Sequence, residues 1–322
     1  MDSKTNQRLV GLDPREYEHP LDREALDKLE AIPGAKALFT KISEVFTEKF
    51  LEIELNGSYI LLTKGTYPRI HKILNEASRI LDMGWVPPIY ISGWDPGGSY
   101  TINAWTNGSK VPHIVLTRRA LDELDDLELL ALLGHELGHI KSGHVLYTTI
   151  AEYLADNLGE AISSLTLGIG NIAVLPIQYA LHYWYRMSEF TADRAGLLVS
   201  QDINVYTRFL LKLSDLLPND ADIVSFQNSF IEQAKSFKDF DHKNVNKLFK
   251  LISTFQQTHP YTVLRVSELI EWEKNDQYKN ILTRKKVNIV TKIPSESKFC
   301  PNCSTDLSTG DRFCGGCGSE IS

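Results

Sequence analysis

Apolar side chains recur every three or four residues over most of the chain, the period of helices with one buried face. A first helix opens at His19-Pro20-Leu21-Asp22, with proline early in its first turn, and Ala31-Ile32-Pro33-Gly34 stops it. Leu38, Ile42, Val45, Phe46 and Phe50 mark a second, over 37–50. Ile70, Ile73, Leu74, Ala77, Ile80 and Leu81 mark a third, over 68–81. Asp125-Asp126-Leu127-Glu128 has the form of a helix cap with an acid three positions on, and Gly143 is a suitable stop. Between them Leu130, Leu133, Leu137 and Ile140 form a core-facing stripe, which leaves His135 and His139 on another face, toward a cleft. Further helices are expected over 205–217 and 224–251. A last one opens at Thr258-His259-Pro260, with Val263, Val266, Leu269 and Ile270 apolar.

Three short runs break this period. Residues 59–63, 88–92 and 113–117 are apolar or β-branched, lie beside turn residues, and read as strands. Between the last two lies a turn-rich stretch, 93–112, with Pro96-Gly97-Gly98 and Asn107-Gly108. The strand at 113–117 comes just before the histidine helix. It is expected at the sheet edge, where Ile114, Val115 and Leu116 would bind an extended peptide through backbone hydrogen bonds. The fold class is therefore α+β, mostly helical with a small mixed sheet. Residues 1–283 form the main domain, with 1–50 as its N-terminal helical part. Residues 284–297 read as a linker and 298–322 as a separate appendage.

The stretch 161–185 carries no charge and is long enough to span a bilayer. Ser163, Ser164, Thr166, Asn171, Gln178 and His182 interrupt it, as do Gly168, Gly170 and Pro176. A buried or cleft-covering segment is the preferred reading, with membrane contact as the other. The 322 residues are 43% hydrophobic and 23% charged, which is ordinary for a soluble globular protein. A net charge of −7 argues against a nucleic-acid binder. Residues 1–10 carry Asp2, Lys4 and Arg8 and no apolar run, so no secretory signal is read and the cytoplasm is expected.

The chemistry concentrates at Gly134-His135-Glu136-Leu137-Gly138-His139, an HExxH motif. On a helix the two histidines stack on one face and can share a metal ion. Glu136 stands where it can take a proton from water at the metal's open position. A third ligand is needed. The extended pattern with glycine at 142 and histidine at 145 fails, because Ser142 and Val145 stand there. His144 is off register and reads as a surface or helix-end residue. Glu189-Phe190-Thr191-Ala192-Asp193 fits better: Glu189 and Asp193 share a helix face among apolar neighbours. Glu189 would ligate, and Asp193 would accept the free ring N–H of a histidine ligand.

Four blocks carry a resemblance. They are Asn103-Ala104-Trp105 before Ile114–Leu116, the HExxH at 135–139, Arg186 with the block from Glu189 to Arg194, and His259-Pro260 with Arg265. In this order they resemble the HtpX-like zinc peptidases, gluzincins related to the CaaX prenyl protease, over roughly 50–275. The resemblance implies a zinc held by His135, His139 and Glu189, with Glu136 as base and a protein or peptide substrate. It places Asp193 and Arg186 behind the ligands and Asn103-Ala104 at the substrate. His259 would stabilise the oxyanion or close the cleft. Family members with membrane spans often carry them in the interval that 161–185 occupies here.

All four cysteines lie at the C-terminal end, as Cys300-Pro301-Asn302-Cys303, ten residues, then Cys314-Gly315-Gly316-Cys317. Paired CxxC knuckles at this spacing point to a structural zinc with a closed thiolate shell, a zinc ribbon. Lys298 and Arg312 stand against Asp306, Asp311 and Glu320, so the ribbon is expected to contact protein rather than nucleic acid. The leading expectation is a zinc metalloendopeptidase with one catalytic and one structural zinc. The alternative is a non-catalytic scaffold of the same fold that acts through its ribbon.

Overall fold

The structure, a computed structural model, describes residues 6–45, 53, 55–108, 111–155, 174–218, 220–237 and 260–284. Residues 161–173 of the charge-free stretch, His259, and all of 285–322 with the four cysteines lie outside the described residues.

The described chain runs α1 (Pro20–Glu30), α2 (Ala35–Val45), β1 (Ile60–Leu62), α3 (Pro68–Ile80), β2 (Ile89–Ser92), β3 (Ala104–Asn107) and β4 (His113–Thr117). It continues through α4 (Arg118–Glu123), α5 (Asp126–Lys141), α6 (Val145–Ala155), α7 (Val174–Ser200), α8 (Ile203–Leu213), α9 (Ile223–Phe237), α10 (Thr262–Lys274) and α11 (Asp276–Thr283). The fold is mostly helical around one small mixed sheet.

The sheet order is β1-β2-β4-β3. β2 and β4 are parallel, and β1 and β3 pair antiparallel on the outside. This corrects two expectations. Residues 113–117 form an interior strand, hydrogen-bonded on both sides and buried throughout. An unbroken apolar run such as Ile114-Val115-Leu116 has no polar side to offer and suits a strand covered on both faces. The edge beside the histidine helix is β3, which lies within the stretch read as turns. It is four residues long and sits between turn signals, so its pattern is too short to stand out.

One face of the sheet, with Ile89, Ile114 and Leu116, joins a core built from Ile70, Leu74 and Ile80 of α3, Leu129 and Leu133 of α5, and Leu198 of α7. The other face carries Tyr90, Trp105 and Val115 against Leu55. Side chains alternate along β3, so Ala104 and Thr106 point to the α5 side while Trp105 points away. A second cluster joins Ala25 and Leu29 of α1, Leu38, Phe39 and Ile42 of α2, Ile150 of α6, and Ile177, Leu181 and Trp184 of α7. Residues 174–185 of the charge-free stretch are thus the first turns of α7, packed against helices. Among the described residues no helix is long and apolar enough to cross a membrane.

α5 is the central helix. Asp125 caps it by accepting from the amides of Leu127 and Glu128, and the Glu128 carboxylate accepts in return from the Asp125 amide. Gly143, at φ +75°, turns the chain out of it. The helix is buried on every side from Glu128 to His139, the histidine face included. α7 lies antiparallel along it. A Cβ at Gly134 would stand 2.6 Å from the Val199 Cβ, and one at Gly138 would stand 2.6 Å from the Ala195 Cβ. Both glycines let the two backbones approach more closely than any side chain would permit.

Gly138→Ala should therefore force α5 and α7 apart and lower stability to urea by about 1–3 kcal/mol. Gly84→Ala, which meets nothing within 4 Å, should change it by less than about 0.5 kcal/mol.

Candidate active site

The close approach of α5 and α7 sets two histidines of one helix against a glutamate of the other. His135 Nε2 and His139 Nε2 are 3.3 Å apart. Glu189 Oε1 is 3.3 Å from His139 Nε2, and Glu189 Oε2 is 3.6 Å from His135 Nε2. All three residues are buried, and they are the group of metal-ligand type found among the described residues. Bonds of about 2.0–2.1 Å to a tetrahedral zinc place neighbouring donor atoms about 3.3–3.4 Å apart. The spacings match that geometry, and three protein donors leave the fourth position for water.

The outer nitrogen of His135 shows how the donors are oriented. His135 Nδ1 is 3.2 Å from Asp193 Oδ1 and 3.3 Å from the Tyr206 hydroxyl. A carboxylate only accepts, so the ring donates from Nδ1 and turns the lone pair of Nε2 inward. Asp193 is held in turn by Arg265 of α10, which donates from Nε at 2.8 Å and Nη2 at 2.6 Å, and by the Tyr206 hydroxyl at 2.9 Å. Burial by itself would raise the Asp193 pKa. The Arg265 guanidinium and the hydrogen bond from His135 outweigh it and bring the pKa down to about 2. Burial likewise pushes the Tyr206 hydroxyl far up, and the Asp193 charge adds to this, so it stays a neutral donor.

Glu136 faces a cleft of about 800 Å³ that also reaches His135, His139 and Glu189. The hydroxyl of Thr106, on β3, donates to Glu136 Oε2 at 2.7 Å. One cleft wall is Asn103–Thr106, the edge strand and the residue before it. Tyr185 and Leu210 contribute elsewhere, and Pro260 and Tyr261 lie beside the His259 position.

The structure thus brings His135, Glu136, His139, Glu189 and Asp193 together, with Asn103 and Ala104 on the cleft wall. Ile114, Val115 and Leu116 are one strand further in and do not line the cleft. Arg186 is buried on α7, but no hydrogen bond or ion pair joins it to the two histidines, Glu189 or Asp193; Arg265 is the cation there. His259 and the cysteines fall outside the described residues. His144 does stand at a helix end, directly before α6, but it is not on the surface. It is 4% exposed, with Nδ1 at 3.1 Å from His139 Nδ1 and Nε2 at 3.2 Å from Asp22 Oδ2. Burial pushes the Asp22 carboxyl up, but His144, Thr191 and Trp184 hold it below the ordinary range. Sequence reading missed Asp22, Thr106 and Tyr206, which carry no local signal. The resemblance did single out Arg265.

Residues 68–273 match peptidase family M48. The chain belongs to that family. It is 31% identical over 274 residues to the plastoglobule-localized metallopeptidase 48, chloroplastic, of Arabidopsis thaliana, covering 85% of this chain and 76% of that protein. A protease HtpX homolog of Aquifex aeolicus is 36% identical over 94 residues, 29% of each chain. Another, of Paraburkholderia phytofirmans, is 23% identical over 231 residues, 66% of this chain and 76% of that one. M48 metallopeptidases use zinc, and the His135, His139 and Glu189 donors could hold a metal ion here. In this M48 chain the matched region spans the HExxH helix, Glu189, Asp193 and Arg265. α1 lies before it.

Arg265→Met would leave the Asp193 carboxylate buried without its cation and should lower stability by about 3–5 kcal/mol at neutral pH. The folded pKa of Asp193 is below its ordinary value of 3.8. The stability it adds is therefore complete above that pH and is lost as pH falls toward 2. In Arg265→Met, burial raises that pKa and the acid loss should begin at a higher pH. Urea titrations from pH 2 to 7 measure both effects.

Proposed function

We propose that the chain is a zinc-dependent metalloendopeptidase in which Glu136 acts as general base. The observation that carries this reading is the convergence of two Nε2 atoms and one carboxylate at tetrahedral spacing, with Glu136 beside them on an 800 Å³ cleft. When bound, the zinc would lower the pKa of its water toward about 7 and polarise the scissile carbonyl. Glu136 takes a proton from the attacking water and passes it to the leaving amine. Thr106, bonded to one Glu136 oxygen, keeps the carboxylate turned toward the cleft. His135 is held in its ligating tautomer by Asp193, itself held by Arg265 and Tyr206. The substrate lies extended beside β3, whose edge position and shared cleft wall suit strand addition through the backbone. Tyr185, which lines the cleft, and His259, which precedes Pro260 in sequence, are candidate donors for the oxyanion. In this reading Cys300, Cys303, Cys314 and Cys317 hold a second, structural zinc, in a ribbon over 298–322 that docks protein partners. The chain works in the cytoplasm.

Glu136→Gln should retain the metal and lose about 10²–10⁴ of its turnover on an unfolded protein such as casein. Unchanged cleavage would overturn the mechanism. Metal analysis should find two zinc ions per chain, and one after Cys303→Ser. Two in the variant would remove the ribbon assignment.

A further inference from the structure

Asp22 and His144 have no part in the chemistry above. Yet they stand in one line with a ligand histidine: His139 Nδ1 at 3.1 Å from His144 Nδ1, and His144 Nε2 at 3.2 Å from Asp22 Oδ2. We infer that Asp22 and His144 form a relay that positions His139 for the metal, so that the N-terminal helix α1 is a working part of the site. The inference rests on the zinc reading.

The line has one self-consistent arrangement of hydrogens. Asp22 is an acceptor, taking hydrogen bonds from Trp184 Nε1 at 2.8 Å on Oδ1 and from the Thr191 hydroxyl at 2.5 Å on Oδ2. His144 must therefore donate from Nε2. A neutral imidazole has only that one hydrogen, so its Nδ1 presents a lone pair to His139. His139 then donates from Nδ1, and its Nε2, 3.3 Å from Glu189 Oε1, turns a lone pair to the metal. The two ligands reach the same tautomer by different routes. His135 leans directly on a carboxylate, whereas His139 reaches one through a second imidazole.

Asp22 is fixed for this task. The His19 amide donates to Thr191 Oγ1 at 3.0 Å, and Arg194 Nη1 donates to the carbonyls of Tyr17 at 3.3 Å and Glu18 at 2.9 Å. The Tyr17 hydroxyl lies 3.2 Å from Ser142 Oγ, at the end of α5. The segment 17–22 is thereby bonded both to α7 and to the end of α5. Asp22 lies outside the region that matches the family, 68–273, and is supplied by a different part of the chain.

The test is zinc affinity of the full chain by chelator competition, following the zinc that His135→Ala lacks. Asp22→Asn puts an NH₂ group against donors whichever way its amide turns. It should weaken that zinc 10–100-fold, as should His144→Leu. His144→Gln, which keeps an acceptor for His139, should recover most of the loss. Tyr17→Phe loosens the same segment without touching the relay and should bind zinc like the parent. Should His144→Leu not fold, Asp22→Asn and His144→Gln carry the test. The relay is overturned if folded Asp22→Asn holds zinc within twofold of the parent. It is equally overturned if Tyr17→Phe weakens zinc as much as Asp22→Asn does. If the parent and His135→Ala hold the same zinc, it is the metal reading that fails.

Discussion

The close antiparallel contact of α5 and α7 is the constraint on which the site depends. Two histidines one turn apart on a helix can share an ion, but the third donor comes from another helix and its distance is set by packing. Gly134 and Gly138 bring the α7 backbone in until Glu189 sits 3.3 Å from a histidine nitrogen. Ala192 and Ala195 on α7 are small for the same reason. Hydrophobic burial holds the helices in this position, and the ligand spacing follows from it.

Burying so many polar groups requires each to be matched. Glu128, fully buried at the start of α5, accepts from Arg208 at 2.6 Å and Lys212 at 2.7 Å of α8. Asp193 has Arg265 and Asp22 has His144. Glu136 and Glu189 stand nearest the place a metal would take, and a cation held there between the helices would match them. Leaving any one of these carboxylates unpartnered in the interior would cost several kcal/mol, so the network also fixes how α5, α7, α8 and α10 meet.

The cleft joins this centre to the sheet through β3. Period-2 alternation turns Thr106 to Glu136 and Trp105 into the opposite core, so one short strand both touches Glu136 and borders the cleft. From the other side α1 packs through Ala25 and Leu29 while Asp22 reaches His144. The cleft wall and the residues behind the two histidines thus come from elements far apart in the chain.

What could be read in advance was what local periodicity controls. The spans of α1, α3 and α5, the shared face of His135 and His139, and the shared face of Glu189 and Asp193 all follow from 3.6 residues per turn, and the cap of α5 from its Asp125–Glu128 pattern. The order of strands does not. Nothing within 113–117 says that both its neighbours are present, and the four residues of β3 carry too little pattern to be separated from the turns around them. His144 reads as a surface or helix-end residue because its spacing from His139 fits no ligand register, and spacing along the chain cannot reveal a partner 122 positions away in α1. Sequence alone determined which residues could ligate a metal and on which helices they lie, because helical geometry is local. Tertiary structure decided the edge strand, the cation for Asp193 and the support of His139, because those depend on which surfaces pack together.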